Sequence, residues 1–231
     1  MWIKKIVFVL AFSLSLMTVW GQHTEFRPEI GMGTYSMSDL KGLLEQSVST
    51  SAFGLKTTDD FPAYVFYGLD LVQYLTPRFG LGISSGFYST GGRNDYADYS
   101  GSYREEILVQ ALNLGLLLSL RDTLGYGFFY NIELAGGIKF SDISMEDQLL
   151  VSDYKQGSAY DLESKGVWVE PQIRAGRTFF RNFSFAAFAG YEFNLESKMF
   201  LKQNDKMSLK PKIDWSGIRV GVCVSYSILY Q

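Results

Sequence analysis

The chain of 231 residues has one cysteine, Cys223, and one histidine, His23. A lone cysteine excludes a disulfide scaffold and a multi-cysteine zinc site. A lone imidazole leaves most histidine-dependent catalysis without its residue. Five prolines exclude a proline-rich disordered chain. Charge is also sparse, at 19% of residues, with 21 basic against 24 acidic. Without a basic excess, nucleic acid is not an expected partner. What the chain has is apolar and aromatic residues, 47% and 16% of the total, with 23 glycines.

The first 21 residues read as a processing segment. Lys4 and Lys5 precede an apolar run from Ile6 to Leu16, and Val19-Trp20-Gly21 offers a cleavage site before Gln22. That layout predicts a cleaved secretory signal peptide over 1–21, with the mature domain over 22–231. The apolar core is short for a spanning helix, and no cysteine stands at the cut for a lipid anchor. Beyond it, the longest charge-free runs include Ile107–Leu120 and Phe79–Gly92, and both read with period 2.

That alternation recurs eight times, predicting strands over Pro28–Met37, Pro62–Tyr74, Phe79–Tyr88, Ile107–Leu120, Tyr126–Phe140, Val167–Phe179, Phe183–Asn194 and Gly217–Tyr230. In Phe79–Tyr88 the side chains Phe79, Leu81, Ile83 and Phe87 share one face, and Gly80, Gly82, Ser84 and Gly86 the other. Two polar residues fall on apolar faces. Arg177 is near a strand end, from which its head can reach an interface; a bulge would explain Gln110.

Connections alternate as well. Short turns are expected at Thr76-Pro77-Arg78, Arg121–Gly125 and Arg181-Asn182, and long loops over 38–61, 89–106, 141–166 and 195–216. Both termini then share the short-turn side, as in an even-stranded outer-membrane barrel. Alternation alone also fits a soluble lipocalin-like carrier of a small apolar ligand. Three features favour the membrane. The less apolar face is mostly Gly, Ala and Ser rather than a solvated Lys, Glu and Thr surface. Aromatics mark the ends of the apolar stripes. The loops are long on one side only. The predicted fold is therefore all-β, an eight-stranded antiparallel up-and-down transmembrane β-barrel.

The chain resembles the small eight-stranded outer-membrane β-barrels of the OmpA/OmpX type, in the form common among Bacteroidetes. The resemblance rests on the Gln after the cleavage site, on Glu29-Ile30-Gly31-Met32-Gly33-Thr34-Tyr35, on Ser89-Thr90-Gly91-Gly92-Arg93 and on Ser216-Gly217-Ile218-Arg219-Val220-Gly221-Val222. Tyr226, Ile228 and Tyr230 resemble the family's C-terminal insertion signal, although Gln231 follows the last aromatic. The resemblance implies a monomer in the cell outer membrane of a Gram-negative bacterium. It specifies architecture more than role, because such families include structural, adhesive and surface proteins.

The expected role is structural or surface-binding through the external loops, with a narrow gated channel as the alternative. No enzyme and no cofactor or metal site is expected. His23 lies next to the cleavage site and reads as a solvated tail residue. Eight strands leave an interior that side chains fill, and Tyr35, Phe66, Phe129, Trp168 and Phe188 belong to the inward set. Asp70, Glu133, Glu170, Arg174, Glu192 and Arg219 fall on that inward face near mid-height, with Lys139 above them. Isolated charges there are costly, so pairing is expected, Glu192 with Arg219 first and Glu170 with Arg174 next. Lys198, Lys202, Lys206, Lys210 and Lys212 form a candidate anion-binding loop for lipopolysaccharide phosphates, as flexible point charges. Outer-membrane lipid, lipopolysaccharide and an extracellular protein are the expected partners. Tyr96, Tyr99 and Tyr103 with Arg93 and Arg104 offer protein-binding residue types in 89–106. Finally, Ser38-Asp39 followed by Leu40, Leu43, Leu44 and Val48 predicts an N-capped amphipathic helix over the barrel mouth or at the membrane interface.

Overall fold

The computed structural model describes residues 23–51, 54–151, 154–180, 182–202 and 204–229. The predicted signal peptide lies outside them. The described chain forms strand β1 (His23–Gly33), helix α1 (Ser38–Thr50), β2 (Lys56–Asp60), β3 (Tyr64–Tyr74), β4 (Phe79–Ala97), β5 (Gly101–Gly125), β6 (Phe128–Val151), β7 (Tyr154–Phe180), β8 (Phe183–Leu201), β9 (Asn204–Lys212) and β10 (Gly217–Leu229). Antiparallel pairing runs β1-β3-β4-β5-β6-β7-β8, and β10 closes the ring by pairing with both β8 and β1. Eight strands make the barrel, while β2 adds to the outer part of β4 and β9 to that of β8. Closure leaves no unpaired edge in the membrane-spanning part, the condition for a sheet to sit in lipid.

The period-2 pattern decides which side faces lipid. Leu112, Leu114, Leu116, Leu118 and Leu120 of β5 point outward and are exposed, as are Phe128, Ile132, Leu134, Ile138 and Phe140 of β6. Tyr67, Phe87, Leu112 and Phe140 stand side by side in register at the upper edge. At about 3.4 Å per residue and a tilt near 45°, the stretch Phe128–Phe140 rises about 29 Å, enough for an apolar band. An apolar surface of that height on a solvated protein would be an aggregation site; here it is a lipid-facing belt. A lipocalin-like carrier needs the opposite arrangement, and the charged residues line the inside. Among the described residues no helix is long and apolar enough to cross a membrane.

Inside, bulky rings fill the space. A Cβ at Gly115 would stand 2.8 Å from Trp168 Cζ2, and one at Gly31 would stand 2.7 Å from the Phe66 ring. These lumen glycines are where the wall yields to the rings that plug it. Tyr35, Phe66, Phe129, Trp168 and Phe188 are all buried.

Several boundaries differ from expectation. Of the long loops, 89–106 and 141–166 are mostly strand: β4 and β5 turn at 98–100, and β6 runs on to Val151 and β7 begins at Tyr154. The segment 195–216 is a β8–β9 hairpin with a short return to β10. Above the belt the outward face meets water, so the apolar alternation fades on that side, while the inward face stays covered by the α1 cluster at Val109, Ile107, Ile143 and Leu162 and the hydrogen-bonded ladder continues. The turn expected at Arg121–Gly125 lies instead at Tyr126-Gly127, both with positive φ (50° and 78°), the geometry of a tight two-residue hairpin. Strand β1 begins at His23 rather than Pro28. His23 is therefore no solvated tail: its ring stacks on Tyr74 with centroids 4.5 Å apart. Gln110 requires no bulge, because pairing is regular through it on both sides. It points outward opposite Asp142, two residues beyond Leu112, above the belt. Arg177 points outward near the short turns and lies over the Phe128 ring at 5.0 Å.

Helix α1 lies over the mouth. Leu40 and Leu44 are buried against a cluster that includes Met37, Phe61, Tyr88, Met199 and Trp215. The N-cap is Met37, in the left-handed region at φ 46°, with no side-chain cap. Asp39, expected in the capping pair, instead accepts a hydrogen bond from the Lys212 backbone N–H at 2.8 Å, tying the first turn to β9.

Leu134 is a mid-belt outward residue, paired with Leu118 and Pro171. Leu134→Arg is expected to destabilise the barrel by about 2–4 kcal/mol in lipid, read from urea unfolding in bilayers. An unchanged transition would place this face away from the hydrocarbon.

Candidate functional site

The lumen is the first candidate. Its lower tier is built on β1, β3, β5, β6, β7 and β10. Glu133 is the hub, accepting hydrogen bonds from Arg27 Nη1 (2.7 Å), Arg174 Nε (3.1 Å), Gln172 (2.9 Å), Ser119 (2.9 Å) and Asn131 (3.1 Å). Arg27 also donates to Glu25 at 2.7 Å and to the Tyr74 hydroxyl at 2.6 Å. Arg174 Nη2 reaches Glu29 at 3.1 Å and Asp70 at 3.2 Å, and its Nη1 donates to Cys223 Sγ at 2.6 Å. Arg121 closes the tier on Glu25.

The upper tier lies beneath the helix. Glu192 pairs with Lys139 and, at 3.3 Å, with Arg219. Arg219 also donates to the carbonyls of Thr34 (2.6 Å) and Trp215 (2.8 Å). Aromatic faces complete the solvation: Lys139 Nζ is 4.5 Å from the Tyr88 ring centre and 4.9 Å from that of Trp215, and Arg219 lies 4.8 Å from the Tyr35 ring.

The seven lumen residues expected from sequence all face the interior, but the pairings differ in part. Glu192 and Arg219 form an ion pair. Glu170 and Arg174 do not, because Arg174 is drawn down to Glu133, Asp70 and Glu29. Glu170 is buried beside the upper tier with no direct ion pair among the described residues. Sequence reading missed Glu25, Arg27 and Arg121, since it started β1 late and ended β5 early, and it passed over Glu29 although that residue lies within the strand expected over Pro28–Met37. The available signal was Phe26, Pro28, Ile30 and Met32 facing out between them. Six carboxylates (Glu25, Glu29, Asp70, Glu133, Glu170 and Glu192) thus meet five cations (Arg27, Arg121, Lys139, Arg174 and Arg219), a nearly balanced interior.

Outside the membrane, the concave face of β5 and β6 and one side of α1 bound a cleft of about 450 Å³. Glu105 and Asp147 face each other directly across β5 and β6. Glu105 accepts hydrogen bonds from Ser47 Oγ (3.0 Å) and Asn94 Nδ2 (3.1 Å), both neutral donors. Neither carboxylate has an ion pair among the described residues. Tyr103, Tyr160 and Met145 also line the cleft. Burial, and then the negative charges of Glu105 and Asp147, push the Tyr103 phenol up. At the rim tip, Asp98 accepts from Ser100 and Tyr96, which hold its carboxyl down at about 2.

The candidate anion-binding lysines are on strands rather than a flexible loop. Lys198 is on β8, and Lys210 and Lys212 are on β9, all exposed. Lys202, at the hairpin tip, pairs with Asp142 at 3.4 Å. The Lys206 side chain lies outside the described residues.

An eight-stranded ring, an outward apolar belt and a charged, filled interior define a small β-barrel of the outer-membrane type, and that architecture belongs in an outer membrane. No family model and no curated protein matches the sequence. Among solved structures, the chain is similar to the outer membrane protein OprG from Pseudomonas aeruginosa, with 12% identity, 93% of this chain and 99% of that one covered, and a TM-score of 0.48. It is also similar to a major outer membrane protein from Thermus thermophilus, with 12% identity, coverage of 89% and 99%, and a TM-score of 0.46. Neisserial surface protein A matches at 5% identity, coverage of 90% and 97%, and a TM-score of 0.38.

Removing one partner from a buried ion network costs far more than removing one at the surface. Glu133→Leu is expected to destabilise by about 3–5 kcal/mol, because Arg27 and Arg174 lose their shared acceptor. Asp122→Ala, which removes an exposed pair with Arg78 at 3.8 Å, should cost no more than about 1 kcal/mol. Urea unfolding in lipid, followed by tryptophan fluorescence, compares the two; equal costs would contradict the hub assignment.

Proposed function

We propose that this outer-membrane barrel is a closed, non-conducting surface-binding protein that acts through the strands standing outside the membrane. The observation that carries the reading is strand length. β5, β6 and β7 have 25, 24 and 27 residues, whereas about 9–11 suffice to cross a bilayer. The excess is an ordered, paired sheet rising above the belt, with α1 packed against its inner face as a plug. A general conduit needs neither the plug nor the raised wall. The signal peptide over 1–21 would deliver the chain for export, and the reading assigns no catalytic step.

Within that raised wall the cleft beside α1 sets the chemistry. Two carboxylates directly opposite each other repel, and two tyrosine rings offer π-faces to a cation. The cleft therefore suits a cationic group on an aliphatic arm, such as a lysine or arginine side chain of an extracellular protein. The probe is a fluorescent lysine-rich decapeptide, added to the folded protein in zwitterionic nanodiscs. Glu105→Gln combined with Asp147→Asn is expected to weaken binding at least about tenfold, roughly 1.4 kcal/mol, and added salt to weaken the wild type. Equal affinity of variant and wild type would contradict the cleft as the binding place.

A further inference from the structure

The lysines above the belt are organised by strand register. Phe140, in the upper edge of the belt, pairs with Lys165 of β7. Lys165 pairs with Lys198 of β8, and Lys198 with Lys212 of β9. Three exposed lysines thus stand on three adjacent strands in one continuous row with the belt's upper edge. With strands about 4.8 Å apart, the row spans about 10 Å. Lys210 lies two residues from Lys212 and is also exposed.

The row's height follows from strand tilt. A register row starting at Phe79, the first residue of β4, passes through Leu120, Ile132 and Ile173 to Ala189, in the middle of β8. Rows therefore climb around the wall from β4 to β8, and Lys165 and Lys198 stand above the level of Phe140. Beneath them the exposed outward residues include the apolar Val167, Phe193 and Leu195 of the belt, while Glu196, the register partner of Val167, has its side chain outside the described residues. The lysines begin where the hydrocarbon ends, at the level of lipid headgroups in the outer leaflet.

Their charges are not paired among the described residues. Like charges directly opposite on neighbouring strands are destabilising. Among the described residues, Lys165, Lys198 and Lys212 have no ion pair, whereas Lys202, farther out, is taken by Asp142. An anion bridging the row would relieve the repulsion. Position and spacing together select anions that are fixed at the headgroup level and carried on an apolar body that can lie against Val167, Phe193 and Leu195.

We propose that Lys165, Lys198 and Lys212 form a clamp for the phosphate groups of a phosphorylated glycolipid in the outer leaflet. The lipid's acyl chains pack against the belt beneath the row, and its phosphates lie across the three ammonium groups. Lys165 joins the site although it is far from the other two in sequence, and Lys202 leaves it. This clamp faces lipid on the convex side of the wall, so it stands or falls independently of the cationic ligand proposed for the concave cleft.

The test uses the full folded barrel in zwitterionic detergent, with bis-phosphorylated lipid A as the probe and native mass spectrometry as the readout. Retention by wild type is expected to exceed that of the same lipid A with its phosphates removed. The triple variant Lys165→Gln/Lys198→Gln/Lys212→Gln should lose at least tenfold of the retention, and the triple Arg variant and Lys202→Gln should keep it. These side chains are exposed, so the variants should fold, which heat-modifiable gel migration confirms. Free inorganic phosphate at the lipid's molar concentration should leave the lipid bound. Equal retention by wild type and the Gln variant, equal retention of dephosphorylated lipid A, or displacement by free phosphate would each overturn the clamp.

Discussion

Lipid outside forces polarity inside, and in this chain that constraint is met by one buried ion network. The barrel wall can be apolar on its outer face only because Glu25, Arg27, Glu133, Arg174, Glu192 and Arg219 neutralise one another within it. Each charge alone would be far too costly in so dry an interior. Together they satisfy most of each other's hydrogen-bonding groups, and Tyr74, Tyr88, Trp215 and the chain's carbonyls take up much of the remainder. The network crosses the lumen: Arg27 of β1 reaches Glu133 of β6, and Arg174 of β7 reaches Asp70 of β3. It therefore braces opposite walls of the ring while blocking the space between them.

What stands above the membrane depends on that closed base. Trp215 and Tyr88 serve both levels, giving π-faces to Lys139 below and packing against the cluster that holds Leu40 and Leu44 of α1 above. The helix is thus seated on the upper ion tier. Its Ser47 then fixes Glu105 in the wall of the external cleft. Lumen chemistry, plug and outer surface form one continuous stack, and the long β5–β7 strands carry their register through all of it, the one shift between β5 and β6 lying at Thr123–Gly125 beside the short turn.

The fold was legible in the sequence wherever the two faces of a strand meet different solvents. Leu112 to Leu120 and Phe128 to Phe140 alternate because lipid lies on one side and the filled lumen on the other. Above Ile107 on β5 and beyond Ile143 on β6 neither face is fully buried, so Arg104, Glu105, Glu106 and Asp147 read as loop although they are paired strand. The same limit hid the first lumen residues, because charges beside a cleavage site look like a solvated tail. The inward positions of Asp70, Glu133, Lys139, Glu170, Arg174, Glu192 and Arg219 were legible from period 2 alone. Their partners were only partly so: Glu192 and Arg219 are near in the chain and on adjacent strands, whereas Arg174 chooses among carboxylates on three other strands. The lysine row was hidden for a related reason. Lys165 and Lys212 are brought together by the register of β7, β8 and β9, which composition does not reveal.

The native Cys223 offers the most direct measurement of the central claim. It lies on the inward face of β10 between the outward Val222 and Val224, buried, with its sulfur against Arg174. In the folded barrel in bilayers it should resist both a small charged water-soluble thiol reagent and a lipid-phase maleimide, and it should react fully once urea unfolds the chain. Protection from both reagents is what a closed, ion-braced lumen predicts. Rapid labelling by the aqueous reagent would show an open water path through the barrel, and labelling by the lipid-phase reagent would show that the inward and outward faces are exchanged.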